Sequence, residues 1–561
     1  MSDPTDTANL NFRWAHVLME SLVAGGVKRI VVSPGSRSTP LALAAARHPQ
    51  LELRVMLDER SAAFFALGMA RAAREPVTLI ATSGTAVTEW LPAVTEADLS
   101  RVPLILLSAD RPPELRQCGA NQTIQQNNLF DASTRFTMEL PLPEKALFQA
   151  ASHIASRAVA AAHWPQPGPV HLNIPFREPL TPDMDCAVPE IDPLRWSQPV
   201  MQSDSSHLHE VAEKISGRNG LIVCGHELGD PLPAQEIAEL AQKIGAPVLA
   251  DPLSNLRCSH FGRETLITHY DSMLRSDNFV HEFRPAWVMR FGAMPVSKML
   301  ERYLSGLEDA VHIVIDPSGR WTDPVHKTTE LLQADPQQLI TALLVDLKPA
   351  ENSWLGSWRQ RQEEVAQRLS IAPPVEVMIV DTLRRILPAE GLFFSGNSLA
   401  IRQLDWFLAG RAEPLRILCN RGASGIDGNV STLLGMAAVS TGPVVGLLGD
   451  LTLQHDIGAL AEAQGMDAVI LVLDNGGGAI FDYLPQSSLE EFEPLFLTPR
   501  SINLEAVSTS FGVGYRKTSL ELLADDLGNL LKTRGVHLLH LQIDRQQSLN
   551  QHLHFWEQCK A

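Results

Sequence analysis

The sequence predicts an α/β protein of three domains, each built around a doubly wound, parallel sheet. Short apolar runs such as Val77–Ala81, Leu104–Ser108 and Val444–Leu448 end at small or polar residues and alternate with amphipathic segments. Runs that are apolar on both faces are typical of buried parallel strands. In addition, 561 residues are too many for one hydrophobic core and suggest about three domains.

The composition argues against several functional classes. A formal charge of −18 disfavours nucleic-acid binding, because the phosphate backbone would be repelled. The six cysteines form no CxxC pair, which favours reduced thiols over disulfides or a zinc site. The N-terminal stretch MSDPTDTANLNFRW is polar and acidic, unlike a signal peptide, and no apolar run is long enough to cross a bilayer. We therefore expect a cytoplasmic enzyme.

Composition also indicates the domain limits. Residues 181–200 are rich in proline and aspartate, and residues 348–374 are rich in charged residues and helix formers. Both stretches are interpreted as linkers. They divide the chain into domains at residues 1–185, 200–347 and 375–561. No GxGxxG follows a strand of the middle domain, so we expect no dinucleotide site there.

In the first domain, the strand Ile30–Val32 breaks at the turn Ser33–Pro40, which contains Ser36 and Arg37. The backbone N–H groups of such a turn can face an anion, and the arginine can add a bidentate contact. An ordinary strand-to-helix turn with a solvated arginine is the alternative.

The next strand of the first domain, Leu51–Leu57, is followed by Asp58 and Glu59. We expect Glu59 to be half-buried; the alternative is a charge that favours the N-terminus of the following helix. Later strands end near Thr82 and Ala109. Because the carboxyl ends of parallel strands share one edge of a sheet, these strand ends are expected to lie together.

In the last domain, two apolar runs flank an amphipathic helical segment. The first run ends at Asp450 and the second, Ala468–Leu473, ends at Asp474-Asn475 and three glycines. A carboxylate, an amide oxygen and glycine-rich backbone would then meet at one sheet edge. Such oxygen ligands suit Mg²⁺, which commonly shares its coordination shell with phosphate oxygens. The stretch therefore predicts a diphosphate held through a metal ion.

The first and last domains resemble each other in sequence. Leu67-Gly68-Met69-Ala70 recurs 367 residues later as Leu434-Gly435-Met436-Ala437, and Pro76 and Pro443 keep the same offset before a strand. We interpret the chain as two copies of one α/β unit around a different middle unit. Two related sheets that face each other are suited to hold the two ends of one elongated cofactor.

These segments together carry a family resemblance. A glutamate in the first domain and a GD…N motif in the last resemble the thiamine-diphosphate (ThDP) enzymes of the decarboxylase and acetolactate synthase group. More narrowly, PGSRSTP, DER, TSGT, SADRPPE, GANQ, GNS and NRGASGIDG resemble the family of synthases that make 2-succinyl-5-enolpyruvyl-6-hydroxy-3-cyclohexene-1-carboxylate (SEPHCHC) in menaquinone biosynthesis. The resemblance covers the entire chain, in the order pyrimidine-binding, middle and diphosphate-binding domain.

The resemblance implies ThDP and Mg²⁺ as cofactors, with Mn²⁺ as a substitute. Glu59 matches the catalytic glutamate, which hydrogen-bonds the aminopyrimidine ring so that this ring can deprotonate the thiazolium carbon. The implied metal ligands are Asp450, Asn475 and the Gly477 carbonyl. The other positions that match cofactor contacts are Thr82, Ser83, Gly84, Ser424, Ile426, Ile480 and Phe481.

The implied reaction is the decarboxylation of 2-oxoglutarate and the conjugate addition of the remaining four-carbon fragment to isochorismate. The substrates carry several carboxylates, which the planar forks of arginines pair with bidentately. The matching substrate positions are Ser36, Arg37, Arg111, Gln122, Lys298, Ser398, Arg402 and Arg421. The resemblance also implies a homodimer or homotetramer with the active site at a subunit interface.

The chain departs from the wider ThDP pattern at three positions. Leu451 stands where GDG enzymes carry glycine, Asp474 precedes Asn475 in place of an asparagine pair, and Met299 follows Lys298 where some relatives carry arginine. The paired histidines of simple pyruvate decarboxylases are absent from the first domain.

Two alternative functions remain open at this stage. One is another ThDP carboligase of 2-oxo acids, of the acetolactate synthase type, which would share the scaffold. The other is a non-catalytic ThDP-binding or scaffold protein, against which the retention of Glu59, Asp450 and Asn475 argues.

Overall fold

The chain folds into two units. The computed structural model describes residues 4–345, 347–350 and 352–560. The first unit comprises the chain up to Pro199 with Asn420–Thr441 and His455–Gly465, and the second comprises Val200–Cys419, Gly442–Gln454 and the described residues from Met466 onward. Residues 1 and 561, the predicted outer limits of the first and last domains, lie outside the described residues. Each predicted domain contains one sheet, and the limits themselves stay a prediction.

The sheet of the first unit is parallel throughout. Its strands are β1 (Arg29–Val32), β2 (Glu52–Val55), β3 (Val77–Ala81), β4 (Leu104–Asp110), β5 (Phe136–Glu139) and β6 (Val170–Pro175). They pair in the order β2-β1-β3-β4-β6-β5. The helices that connect them are α1 (Pro4–Ala24), α2 (Thr39–Ala46), α3 (Glu59–Ala73), α4 (Thr85–Thr88), α5 (Leu91–Leu99) and α6 (Phe148–His163).

The apolar residues of alternate strand positions and one stripe of each helix form the core on one face of this sheet. Trp14 and Leu18 of α1 and Val159 of α6 pack with Ile30 of β1 and Leu172 of β6, and all five are fully buried. Burial of this apolar surface fixes the sheet, so that the strand ends that follow it are held in place.

The middle sheet, in the second unit, is also parallel but has a different strand order. Its strands are β7 (Gly220–Cys224), β8 (Val248–Ala250), β9 (Leu266–Ile267), β10 (Trp287–Phe291), β11 (Val311–Ile315) and β12 (Glu330–Leu332), in the order β12-β11-β10-β7-β8-β9. The accompanying helices are α7 (Ser205–Ile215), α8 (Ala234–Ile244), α9 (Tyr270–Met273), α10 (Asp277–Glu282), α11 (Lys298–Ser305), α12 (Pro336–Leu343) and α13 (Asn352–Ile371).

The third sheet repeats the order of the first. Its strands are β13 (Gly391–Ser395), β14 (Leu415–Leu418), β15 (Val444–Gly449), β16 (Ala468–Asp474), β17 (Gly514–Thr518) and β18 (Val536–Gln542), in the order β14-β13-β15-β16-β18-β17. The helices of this region are α14 (Val375–Ile386), α15 (Leu399–Phe407), α16 (Asn429–Val439), α17 (Asp450–His455), α18 (Leu504–Phe511), α19 (Leu523–Leu530) and α20 (Arg545–Lys560).

The shared strand order confirms the predicted internal repeat. The equivalent strands β3 and β15 begin at Val77 and Val444, again 367 residues apart. Within the first unit, the two helices that carry the LGMA motif, α3 and α16, pack against each other. A Cβ on Gly68 would lie 2.0 Å from the Thr432 carbonyl oxygen, and a Cβ on Gly435 would lie 2.0 Å from the Phe65 carbonyl oxygen. The repeated glycines therefore allow this helix contact.

We expect Gly68→Ala to lower the free energy of unfolding by about 1–3 kcal/mol, because the new methyl group would overlap backbone of α16. Gly356→Ala is the matched control, since Gly356 also lies inside a helix, α13, but an added Cβ would have no neighbour within 4 Å. That control should be neutral or stabilising by up to about 1 kcal/mol. Thermal unfolding midpoints measure both variants, and a neutral Gly68→Ala would contradict the packing argument.

The predicted linker at residues 348–374 is wrong for most of its length. Residues from Asn352 to Ile371 form α13, a helix of 20 residues. Its buried residues Trp354, Trp358 and Val365 join the hydrophobic core of the second unit. Trp354 also donates a hydrogen bond from Nε1 to the Gly220 carbonyl (2.9 Å). Of the charged residues that suggested a linker, Arg359 and Glu363 are exposed, whereas Arg361, Glu364 and Arg368 are half-buried. In contrast, residues 181–200 contain no helix or strand, as expected of a linker.

The amphipathic segment after β15 is two short helices instead of one. α17 ends at His455, and a 3₁₀ helix runs over Ile457–Glu462. Asp456 lies between them, fully buried, and its carboxylate accepts hydrogen bonds from the Ser431 backbone N–H (2.7 Å) and hydroxyl (3.1 Å). Asp456 therefore caps the N-terminus of α16, and the helical segment after β15 is interrupted at this residue.

Two further features concern the cysteines and the hydropathy of the helices. All six cysteines are free thiols. Over the described ranges, none of the helices combines the length and the hydropathy that a membrane span requires.

Candidate active site

The loops that follow the strands of the first sheet surround a cavity of about 590 Å³. β1 lies between β2 and β3, so the ends of these three strands are neighbours. The cavity is lined by Pro34, Gly35, Ser36, Asp58, Glu59, Arg60, Thr82, Thr85, Ala86, Glu89 and Gln122. Four residues with predicted roles therefore line one cavity. They are the predicted catalytic residue Glu59, the predicted cofactor contact Thr82, and the predicted substrate contacts Ser36 and Gln122.

Glu59 is held at the first position of α3 by its neighbour. The Asp58 side chain caps the helix and accepts hydrogen bonds from the backbone N–H groups of Arg60 (2.9 Å) and Ser61 (3.2 Å). Glu59 itself is half-buried, as expected. A carboxylate at this position also faces the positive end of the helix dipole. Both interpretations of Glu59 from the sequence thus apply to the same side chain.

The turn Thr82–Gly84 is held in place by the side-chain amide of Gln126, a residue to which the sequence assigned no role. Gly84 has φ +85°, a left-handed conformation that favours glycine. Its N–H donates to Gln126 Oε1 (3.0 Å), and Gln126 Nε2 donates to the Ala109 carbonyl (3.2 Å) and to Asn173 Oδ1 (2.9 Å). Gln126 is buried and thereby ties together the ends of three strands, so it positions the turn.

Three of the predicted residues contact one another directly. The Ser83 hydroxyl donates to the Gln122 carbonyl (3.1 Å), and Gln122 Nε2 donates to the Ser83 carbonyl (2.9 Å). Arg111 Nη1 donates to the Ser83 hydroxyl oxygen. The predicted cofactor contact Ser83 is therefore joined to two predicted substrate contacts.

Arg37 and Arg111 place two positive charges near the ends of β1 and β4. Arg37 is buried; its Nη1 donates to the Phe176 carbonyl (3.0 Å) and its Nη2 to Glu178 Oε1 (2.7 Å). Burial, and next the nearby charge of Arg37, lowers the pKa of Arg111. The Glu178 side chain is 69 % exposed, so the carboxylate on Arg37 can exchange with another anion at little cost. Two neighbouring guanidinium groups favour such an anion.

The loop between β14 and α16 carries three further predicted residues. Arg421, Ser424 and Ile426 are half-buried there, and they belong to the first unit together with Glu59. The loop ends at Gly428, whose φ is +63° and whose Cβ would lie 2.0 Å from the Phe64 ring. Only glycine fits at that point, which explains the last residue of NRGASGIDG.

In the second unit, Asp450 and Asn475 follow the paired strands β15 and β16. Burial, and to a smaller extent the charge of Asp474, raises the pKa of Asp450 to about 7. Asp450 Oδ2 and Asn475 Oδ1 are both buried, and neither has a hydrogen-bond partner among the residues that the structure describes. Two such oxygens at neighbouring strand ends leave lone pairs that a cation could use.

The donor set at these strand ends fits Mg²⁺. The Gly477 N–H interacts with the Asp450 carboxylate, which places Gly477 beside it. The Gly477 carbonyl accepts a hydrogen bond from the Ala479 N–H (2.9 Å) and keeps a second lone pair. A carboxylate, an amide oxygen and a carbonyl are the hard oxygen ligands that Mg²⁺ prefers.

The remaining predicted cofactor contacts follow on a 3₁₀ helix, Ala479–Tyr483. Ile480 is half-buried and packs against the hydrophobic core of the second unit. The Phe481 ring is also half-buried and lies 5.6 Å from the Phe496 ring, measured between centroids. Both residues therefore present apolar surface beside the glycine-rich loop.

The predicted substrate contacts of the second unit lie on two helices or directly before one of them. Lys298 begins α11, is 70 % exposed and pairs with Glu301 (2.8 Å), the behaviour of an ordinary surface lysine. Arg402 of α15 donates from Nη1 to the Ser398 carbonyl (2.7 Å). The structure thus brings Arg402 and Ser398 together.

Backbone strain marks three predicted site residues. Gln122, Ser398 and Ser424 have φ values of +55°, +64° and +65°, although none of them is glycine. Such conformations cost free energy and cluster at functional sites. The three residues lie on three separate loops. Ser398 contacts Arg402, Ser424 contacts Arg421, and Gln122 contacts Ser83, which also contacts Arg111.

Two family models match the chain. Residues 12–133 match the N-terminal TPP binding domain of thiamine pyrophosphate enzymes, and residues 191–395 match a middle domain of thiamine pyrophosphate enzymes. Thiamine pyrophosphate is another name for ThDP. The first match covers Glu59, Thr82–Gly84, Arg111 and Gln122.

Curated relatives match over nearly the whole chain. A SEPHCHC synthase of Dechloromonas aromatica is 44 % identical over 545 residues, which cover 96 % of this chain and 99 % of the relative. Relatives with the same name from Bacillus cytotoxicus and Chloroflexus aurantiacus are 38 % and 40 % identical, over 96 % and 97 % of this chain and 95 % of each relative. The chain belongs to the SEPHCHC synthase family.

A solved structure shows the same fold. Benzoylformate decarboxylase from Polynucleobacter necessarius matches with a TM-score of 0.70 over 95 % of this chain and 98 % of that one, at 17 % identity. Family membership and this likeness confirm the predicted three-domain α/β fold and the predicted resemblance to the SEPHCHC synthase family. The N-terminal match also confirms ThDP as the cofactor.

Proposed function

We propose that this member of the SEPHCHC synthase family decarboxylates 2-oxoglutarate and adds the resulting four-carbon unit to isochorismate, giving SEPHCHC and CO₂ in menaquinone biosynthesis. The observation that carries the proposal is the similarity to SEPHCHC synthases over almost the entire chain. The alternative of an acetolactate synthase-like carboligase is not favoured, because the curated relatives that match the chain are named SEPHCHC synthases. These relatives also argue against the scaffold alternative, and the proposed reaction makes the chain a transferase.

Thiamine diphosphate supplies, when bound, a thiazolium ring that accepts the electron pair left by decarboxylation. We propose that Asp450 Oδ2, Asn475 Oδ1 and the Gly477 carbonyl hold Mg²⁺, or Mn²⁺ in its place, for the diphosphate end. The support is the pair of buried oxygens that have no hydrogen-bond partner within the described part of the chain. The cation would offset the cost of burying the Asp450 carboxylate, which its raised pKa reflects.

The remaining contacts to the cofactor divide between polar turns and apolar surface. Glu59 would form a hydrogen bond with the aminopyrimidine ring and share with it the proton that activates the ring. The proposed contacts are Thr82, Ser83, Gly84, Ser424, Ile426, Ile480 and Phe481. Ile426, Ile480 and Phe481 are the apolar members and would exclude water from the reacting carbon.

The substrate carboxylates would bind where positively charged side chains lie close together. In the first unit, Arg37 and Arg111 lie close enough for their charges to interact, and Arg37 already holds a carboxylate, that of Glu178. We propose that a substrate carboxylate displaces Glu178 and that Ser36, Gln122 and Arg421 add contacts. Ser398, Arg402 and Lys298 of the second unit are proposed for the same task.

We also propose a cytoplasmic homo-oligomer, either a dimer or a tetramer, in which the active site forms between subunits. The support is that Glu59 and Asp450 belong to different units of the chain and serve one cofactor in the family that the sequence resembles. The molar mass in solution should be at least twice the 61.5 kDa of one chain, and a monomer with full activity would contradict the proposal.

The reaction is tested with purified protein, ThDP and Mg²⁺. We expect 2-oxoglutarate and isochorismate to be consumed together, with release of CO₂ and formation of SEPHCHC detected by mass spectrometry. Pyruvate in place of 2-oxoglutarate is the control. Turnover of pyruvate alone at the same rate would support the acetolactate synthase-like alternative, and no turnover of any 2-oxo acid would support the scaffold alternative.

A further inference from the structure

Glu96 is a buried carboxylate outside the residues assigned so far. It lies on α5, it is 2 % exposed, and three hydrogen bonds converge on it. Oε1 accepts from the Ser100 hydroxyl (2.5 Å) and from the Gly422 N–H (2.8 Å), and Oε2 accepts from the Ala423 N–H (2.6 Å). Two of the three donors are thus backbone groups of the loop that carries Arg421, Ser424 and Ile426.

The loop approaches α5 as closely as its backbone permits. A Cβ on Gly422 would lie 2.7 Å from the Glu96 carbonyl oxygen, 2.8 Å from the Ser100 hydroxyl and 2.9 Å from Leu99 Cβ. Glycine is therefore required for the contact. Immediately after the two bound N–H groups, Ser424 takes its positive φ, and its hydroxyl oxygen lies 3.4 Å from the Arg421 carbonyl.

The first residue of the loop, Asn420, is held by an arginine that also lies beside Glu96. Arg71, in the last turn of α3, lies 3.9 Å from Glu96 Oε1 and donates from Nη1 to Asn420 Oδ1 (3.3 Å). Asn420 Nδ2 in turn donates to the Thr432 hydroxyl (2.9 Å). Arg71 thereby gives the buried carboxylate a counter-charge and fixes the first residue of the loop.

We infer that Glu96 is a positioning residue that sets the conformation of the loop 420–428, and through it the placement of Arg421, Ser424 and Ile426. A carboxylate is needed because both of its oxygens act only as acceptors. A glutamine has one acceptor oxygen, and its NH₂ group would face either the Gly422 N–H or the Ala423 N–H. One backbone donor would then lose its partner inside the protein.

The test measures the loop directly by hydrogen–deuterium exchange of peptides that cover residues 420–428. In Glu96→Gln we expect the exchange of this segment to be roughly ten- to a hundredfold faster, which is the effect of leaving one buried donor unpaired. Ser100→Ala is the matched control, because it removes the third donor to Glu96 but leaves both loop contacts. That variant should exchange like the wild type.

Kinetics give a second readout, which rests on the proposed function. We expect Glu96→Gln to raise KM for a carboxylate substrate by about tenfold with a smaller change in kcat, since Arg421 would be displaced and Glu59 would not. A residue that served stability alone would leave KM unchanged in the folded enzyme. Exchange is measured without substrate or cofactor, so failure of the proposed function would leave the loop result intact.

The inference is overturned if Glu96→Gln leaves the exchange of the loop unchanged, or if Ser100→Ala accelerates it equally. Should Glu96→Gln fail to fold, Gly422→Ala tests the same contact from the side of the loop, because the added methyl group would push the loop away from α5. Exchange of residues 420–428 that stays slow in Gly422→Ala would equally overturn it.

Discussion

Asp450→Asn is expected to weaken the binding of ThDP and Mg²⁺ by at least about 100-fold. Substitution of groups that merely orient a metal ligand commonly costs 10- to 100-fold in affinity, and Asp450 is proposed as a ligand itself. The protein without cofactor should keep its thermal unfolding midpoint or gain slightly, because burial already raises the pKa of this carboxyl to about 7 and an amide carries no charge to bury. Calorimetric titration and thermal unfolding with and without cofactor measure the two effects.

Asp474→Asn is the control for that experiment. Asp474 carries a neighbouring negative charge, but its two oxygens are already bound, Oδ1 by the Gly476 N–H (3.2 Å) and Oδ2 by His540 Nε2 (3.0 Å). We expect cofactor affinity to change far less than in Asp450→Asn. Equal losses in both variants would mean that net charge, and not a ligand at Asp450, holds the cation.

Glu59→Gln should lower turnover by about 10²- to 10⁴-fold, the usual contribution of a positioned acid or base. The amide can still form a hydrogen bond but cannot hold the proton, so cofactor affinity should stay close to that of the wild type. The rate at which bound ThDP exchanges its C2 proton for deuterium, followed by NMR, should fall in parallel. Loss of turnover with unchanged C2 exchange would rule out the activating role.

Glu89→Gln provides the comparison for Glu59→Gln. Glu89 is an exposed carboxylate that lines the same cavity, with no role assigned to it. It should lose much less activity than Glu59→Gln. If both variants lost activity equally, the effect would come from the electrostatic field of the cavity and not from a proton held at one position.

Inner strands of the sheets were predictable from the sequence. Val77–Ala81 begins and ends at the predicted residues, and the strands predicted at Leu104–Ser108 and Val444–Leu448 begin as predicted and end at Asp110 and Gly449. Strands buried on both faces are apolar at nearly every position, which makes them recognisable. Strands at sheet edges, such as β5, β9, β12 and β17, carry a weaker signal in the sequence. An edge strand such as Gly514–Thr518 is partly exposed and therefore carries polar residues. β18 is an inner strand, but two histidines interrupt its apolar run.

The site was predictable where its residues lie at strand ends. Thr82 and Asp450 follow β3 and β15 directly, and Glu59 lies four residues beyond the end of β2. Each of them therefore lies at the carboxyl edge of its own parallel sheet. The supporting residues were not predictable in the same way. Glu96 sits inside a helix with no local signal, and its partner Gly422 lies 326 residues away in the chain. Contacts of that kind follow from tertiary packing alone.

The contact between α3 and α16 has the pattern of an interface between identical subunits. Gly68 meets Thr432 and Gly435 meets Phe65, and both pairs are exchanged by the same shift of 367 residues. In a two-fold symmetric dimer, residue i touches residue j while the partner's j touches i, and here one chain satisfies both relations. Gene duplication and fusion of a self-associating ancestor would produce this arrangement in one step. The middle sheet lies between the two copies in the chain, and none of its residues is among the nearest neighbours of either glycine.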